Sequence, residues 1–163
     1  MGKLLFVTLV VLLGAATLGT FSSTASARGF SPAYYALRDN LIEGQRPHME
    51  WVAYLERNPR AYVPPDVVSL QWQREAVEIY NRRMLAISLL ANGVTHWPNG
   101  ASIYETTFND FTWMRSQHLI LETRDTYSGK AMQRFFAEQY LWRIAMLQLI
   151  TSENWPNSPG ALG

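Results

Sequence analysis

The chain has 163 residues, 14 Lys and Arg against 13 Asp and Glu, a formal net charge of +1 and no cysteine. The missing thiols exclude a disulfide framework, a thiolate zinc site, an iron–sulfur cluster and covalent c-type haem attachment. Once Lys3 is set aside with the N-terminal segment, 13 basic residues face 13 acidic ones, so the remainder has no long-range field to draw it to nucleic acid.

Leu4 to Phe21 carries no charge, follows Lys3, and runs into Ser22, Ser23, Thr24, Ala25, Ser26 and Ala27. A basic start, an apolar middle and an Ala-x-Ala exit describe a secretory leader. The same stretch, helical, reaches roughly 27 Å and is long enough for a short membrane anchor, with Leu4, Phe6, Val10, Leu13, Leu18 and Phe21 among its apolar contacts. Either way Lys3 holds the N-terminus back and the following chain lies on the exported side. An anchor implies a single-pass protein facing a periplasm, intermembrane space or lumen; a cleaved leader implies secretion.

Beyond residue 27 helical signals dominate. Ser31-Pro32 reads as an N-cap followed by proline at the first helical position, and the short helix it opens is expected to stop at Gly44. Pro47 is expected to start a second short helix, with Trp51, Val52, Tyr54 and Leu55 as apolar positions, ending near Asn58-Pro59. Residues 61–66, AYVPPD, form an extended connector in which Asp66 can cap the next helix. From Val67 to Ala91, Leu70, Val77, Tyr80, Met84, Ile87 and Ala91 recur at steps of three and four, and Asn92-Gly93 is a helix C-terminus.

After the turn 94–100, Ser102 and Glu105 have capping-box spacing. Tyr104, Phe108, Phe111, His118 and Leu121 then lie on one stripe, with Tyr127-Ser128-Gly129 as the expected stop. A last helix is expected from Ala131 to Thr151, ahead of an irregular tail. The expected fold is all-α: an N-terminal hydrophobic helix, then a bundle of three long and two short helices. Its expected parts are 1–27 (leader or anchor), 28–65 (short helices and connector), 66–151 (three-helix core) and 152–163 (tail).

Residues 140–150, YLWRIAMLQLI, are apolar on nearly every side of a helix, interrupted by Arg143 and Gln148. Such a helix must be covered all round, while Arg134, Glu138 and Arg143 make it too charged to cross a bilayer comfortably. A protein partner, a second copy or a central place in the bundle would each supply the cover. Tyr140, Trp142, Arg143, Met146 and Ile150 are the candidate partner-binding residues, since aromatics and Arg are enriched where proteins meet.

His118 and Glu122 stand one turn apart, as do Glu75 and Glu78, and Glu138 lies on the last helix. Carboxylates and imidazoles projecting from facing helices build di-iron bundles, although the Glu-x-x-His pairs of that design are missing. His48 and His96 are isolated in proline-containing segments, and neither a phosphate-cradling loop nor a nucleophile elbow is present. Three readings follow. The first is a non-catalytic accessory subunit of a membrane complex, of the energy-transducing or electron-transport kind, without a cofactor of its own. The second is a secreted helical binding protein; the third is a carboxylate-bridged di-metal enzyme using His118, Glu122, Glu75, Glu78 and Glu138.

Overall fold

Serine hydroxyls open three of the helices. A computed structural model of the chain describes residues 30–61, 69–124 and 127–152. They form α1 (Pro32–Arg57), α2 (Leu70–Ala91), α3 (Ile103–Arg124) and α4 (Tyr127–Ile150). Ser31 Oγ accepts the Tyr34 N–H at 2.9 Å, Ser69 Oγ that of Trp72 at 3.3 Å, and Ser102 Oγ that of Glu105 at 3.2 Å. Each bond satisfies an N–H that the helix itself leaves unpaired. At the end of α2, Gly93 takes φ 80°; its N–H donates to Leu90 O and that of Val94 to Leu89 O, both at 2.9 Å. This is the paired closure that a left-handed glycine permits.

The four helices run up, down, up and down. Tyr34 meets Ser88, Gln45 meets Asn81 and His48 meets Gln73, so α1 and α2 are antiparallel. Phe111 against Tyr140 and His118 against Gln133 set α3 and α4 antiparallel in the same way. The two hairpins close on one core, in which Leu37 and Leu41 of α1, Ile87 and Leu90 of α2, Ile103 and Phe111 of α3, and Tyr140, Leu147 and Ile150 of α4 are all buried. The 94–102 turn carries one isolated bridge, His96 to Ser102, and no strand occurs among the described residues.

The helix count differs from the sequence expectation. In place of two short helices separated at Gly44 and Pro47, α1 is one continuous helix of 26 residues that runs through both. A mid-helix proline and glycine together cost about 4 kcal/mol against alanine. Burial of Leu37, Leu41 and Gln45 before Pro47 and of Leu55 after it offsets that cost, so tertiary packing overrides the local signal. Through Ala33, Tyr34, Leu37 and Leu41, α1 contributes directly to the core. Tyr127 to Gly129 also reverse their expected role: they form the first turn of α4, and α3 ends at Arg124. Ser69 caps α2, while Asp66 and the expected start at Val67 lie outside the described residues, as do the leader or anchor positions Leu4, Phe6, Val10, Leu13, Leu18 and Phe21.

Gly44 has a packing role that its sequence signal concealed. A Cβ built there would sit 2.7 Å from Tyr80 Oη and 2.8 Å from Tyr80 Cε1, so the absent side chain is what allows the Tyr80 ring to lie against α1. Gly44→Ala is expected to lower stability by about 1–2 kcal/mol, because displacing this ring outweighs the gain in helix propensity. Urea denaturation checks this, and a stabilised variant would show that the ring yields freely.

Candidate functional site

The most distinctive chemistry of the bundle is at its centre, where all four helices contribute polar side chains. Arg83 of α2 is 5% exposed. Its Nε donates to Asp110 Oδ2 at 2.6 Å and its Nη2 to Oδ1 at 3.1 Å, while Nη1 donates to Tyr140 Oη at 3.1 Å. Arg143 of α4 is also 5% exposed; its Nε donates to Asn40 Oδ1 at 2.7 Å, and Asn40 Nδ2 donates to Gln139 Oε1 at 2.8 Å. Two aromatic rings lie between the cations. Arg143 stands 4.6 Å from the Tyr140 ring centre and 5.7 Å from that of Tyr80; Arg83 stands 5.6 Å and 5.2 Å from the same two.

The centre thus holds two guanidiniums and one carboxylate, which pairs with Arg83. Burial works against the charge of Arg83, but the hydrogen bonds to Asp110 together with the electrostatic attraction of Tyr140, Asp110 and Tyr80 outweigh it, and its pKa lies above the ordinary arginine value. Among the described residues Arg143 has no carboxylate partner, and the negative faces of Tyr140 and Tyr80 balance its charge in part. Tyr140 is affected in turn. Burial pushes its phenol above the ordinary value of 10.0, and the opposing pull of Arg83 does not cancel the effect.

The residues singled out from the sequence are distributed differently. His118 is hydrogen-bonded through Nδ1 to Gln133 Oε1 at 2.8 Å and stacks on Tyr140 at 5.7 Å. Glu122 and Glu138 both take the guanidinium of Arg134, each at 3.4 Å. Glu75 accepts from Gln71 within its own helix, and Glu78 is exposed. No cluster of three or more His, Asp or Glu side chains able to hold a metal occurs among the described residues. His48 is bonded to Gln73 and His96 to Thr95 Oγ1, each at 2.8 Å.

The five candidate partner-binding residues divide between two faces. Tyr140, Arg143 and Ile150 point into the bundle, Trp142 points out, and Met146 is half-buried. Beside Trp142 the outward face carries Phe135, Leu141 and Leu149, at 56%, 50% and 49% exposure, with Met132 and Phe136 at its flank. Met146 and Leu149 also line a shallow apolar groove with Pro32, Ala33 and Ala36 of α1. The all-round apolar character of 140–150 held a signal for this outer face, since it exceeded what one core needs. No local pattern marked Arg83, Asp110 or Asn40, and the apolar periodicity placed Tyr80 on the buried stripe of its helix without its arginine neighbours.

Removing one partner from the central pair is expected to be costly. Asp110→Ala leaves the Arg83 charge buried and is expected to destabilise by about 3 kcal/mol, the lower end for a broken buried pair because Asp110 partly meets water. The double replacement Arg83→Met with Asp110→Leu is expected to recover most of the loss in urea denaturation. Above pH 10 the unfolded chain releases the Tyr140 proton while the folded chain keeps it. Stability is therefore expected to fall as pH rises through this range. In Tyr140→Phe the decline is expected to be shallower, whatever the variant's stability at neutral pH.

No helix among the described residues is long and apolar enough to cross a membrane. No protein-family model, curated protein or solved structure matches the chain.

Proposed function

We propose that this protein is a non-catalytic subunit of a larger membrane assembly, held to the membrane by residues 4–21 and docked through the outer face of α4. The observation that carries this reading is the exposure of Phe135, Leu141, Trp142 and Leu149 on one helix. Large apolar side chains scattered singly are ordinary on a protein surface, but a contiguous patch marks a binding surface. The remaining helices each expose three or four such residues, whereas α4 exposes six.

The chemistry-bearing groups add support. His118 and His48 are held by glutamines, Glu122 and Glu138 by Arg134, and the central arginines by Asp110 and Asn40. These side chains serve the architecture of the bundle. Residues 4–21 supply the anchor in this reading by their length and lack of charge.

Native gel electrophoresis of solubilised membranes tests the proposal. The full chain is expected to migrate in a species far larger than its own 18.6 kDa. The triple variant Phe135→Ser, Trp142→Ser and Leu149→Ser is expected to leave that species while keeping its helical circular dichroism. A wild-type chain recovered as a free small protein, or a triple variant that stays in the large species, would overturn the reading. Intact mass separates its two halves: a chain beginning at Arg28 would remove the anchor and leave only the docking face.

A further inference from the structure

The buried centre of the bundle is built twice from one pattern. On α1, Asn40 is followed eight positions later by His48, and on α3 Asp110 and His118 repeat them at an offset of 70. On α2, Gln73, Tyr80 and Arg83 stand at steps of seven and three, and on α4 Gln133, Tyr140 and Arg143 repeat them at an offset of 60. The same two offsets bring Tyr34 onto Tyr104, Arg74 onto Arg134 and Glu78 onto Glu138. Similarity at a fixed offset is the mark of an internal repeat.

The bonds repeat with the residues. His48 Nδ1 meets Gln73 Oε1 and His118 Nδ1 meets Gln133 Oε1, each at 2.8 Å. The His48 ring lies 5.8 Å from that of Tyr80, and the His118 ring 5.7 Å from that of Tyr140. Arg74 of α2 pairs with Glu56 of α1, as Arg134 of α4 pairs with Glu122 of α3. Amphipathic helices of any bundle share an apolar spacing. They do not for that reason share polar side chains with the same partners at the same distances.

Between the hairpins the contacts are reciprocal. Arg83 Nε donates to Asp110 at 2.6 Å and Arg143 Nε to Asn40 at 2.7 Å. Arg83 stands 5.6 Å from the Tyr140 ring centre and Arg143 5.7 Å from that of Tyr80. With α1 and α3 running one way and α2 and α4 the other, one approximate two-fold axis along the bundle, between α2 and α4, relates the halves. The two clasps differ in one group: Asp110 gives Arg83 a carboxylate, whereas Asn40 gives Arg143 an amide oxygen. The Nη atoms of Arg83 reach Asp110 Oδ1 and Tyr140 Oη, while those of Arg143 have no acceptor among the described residues.

We infer that the bundle is two copies of one helical hairpin, each shaped to pair with another of its kind through an arginine clasp, and that position 40 is the second seat for the clasp's carboxylate. The surface that α1 and α2 turn to α3 and α4 is then an isologous interface enclosed in a single chain. Its specificity lies in Asn40, Asp110, Tyr80, Tyr140, Arg83 and Arg143. The inference goes beyond the docking of α4 and does not depend on it.

Urea denaturation of the purified full chain in mild detergent, followed by helical circular dichroism, tests the second seat. A carboxylate newly buried without a waiting cation lowers stability. At an equivalent seat, Asn40→Asp is expected to raise the folding equilibrium constant at least ~5-fold, because Arg143 gains the charged acceptor that Arg83 has. Gln139, which accepts from Asn40 Nδ2, need only turn its amide to donate instead. In Arg143→Met the same substitution is expected to lower the constant, since the carboxylate then meets no guanidinium. Exchanging the seats, Asn40→Asp with Asp110→Asn, is expected to bring the constant from the low value of Asp110→Asn alone to within ~5-fold of wild type. A constant unchanged or lowered by Asn40→Asp, a rise that persists in Arg143→Met, or an exchange no closer to wild type than Asp110→Asn alone would each overturn the inference.

Discussion

Two guanidiniums and one carboxylate in the middle of a four-helix bundle constrain everything around them. Arg83 needs Asp110 within reach from α3, and Arg143 needs Asn40 from α1. Tyr140 must stand between the cations to accept one hydrogen bond and present its ring to the other. Sliding any helix by one turn, about 5.4 Å, would strand a buried charge, and that costs more than a displaced leucine. The apolar core supplies the drive to collapse, and the polar centre selects the register. The close approach of Tyr80 to Gly44 serves the same centre, since that ring lies within cation–π range of both arginines.

The local grammar of the helices was readable from the chain. Ser31-Pro32, Asn92-Gly93 and Ser102 act where their chemistry predicts, because a cap is satisfied by residues two to five positions away. The all-α class followed from the same signals. What misled was also local: Gly44 and Pro47 carry real propensity penalties, and only the distant helices packed against α1 outweigh them. At Tyr127–Gly129 a turn-like tripeptide begins a helix because α4 is fixed by the contacts of its later residues.

The central network was not readable, for a related reason. Arg83 and Asp110 are 27 positions apart, and Arg143 and Asn40 are 103 apart. Nothing in the neighbourhood of Arg83 distinguishes it from the exposed arginines of α2, and the apolar run around Arg143 marked that residue for an interface without revealing Asn40. The sequence did show that α4 had more apolar surface than one face could hide. Its inner and outer positions became separable only when Tyr140, Arg143 and Ile150 were seen turned inward and Phe135, Trp142 and Leu149 outward.

The groove shared by Pro32, Ala33 and Ala36 with Met146 and Leu149 places the beginning of α1 beside the end of α4. Pro32 at the start of α1 and Ile150 at the end of α4 therefore share one pole of the bundle. Arg57 at the end of α1, Leu70 at the start of α2, Arg124 at the end of α3 and Tyr127 at the start of α4 lie at the other pole, about 39 Å away along the 26 residues of α1. Because α1 is unbroken at Gly44 and Pro47, that distance is a fixed span with no joint in it. The two poles are thus joined by one helix, so a displacement at Pro32 is carried through Gly44 and Pro47 to Arg57 instead of being absorbed between two shorter helices.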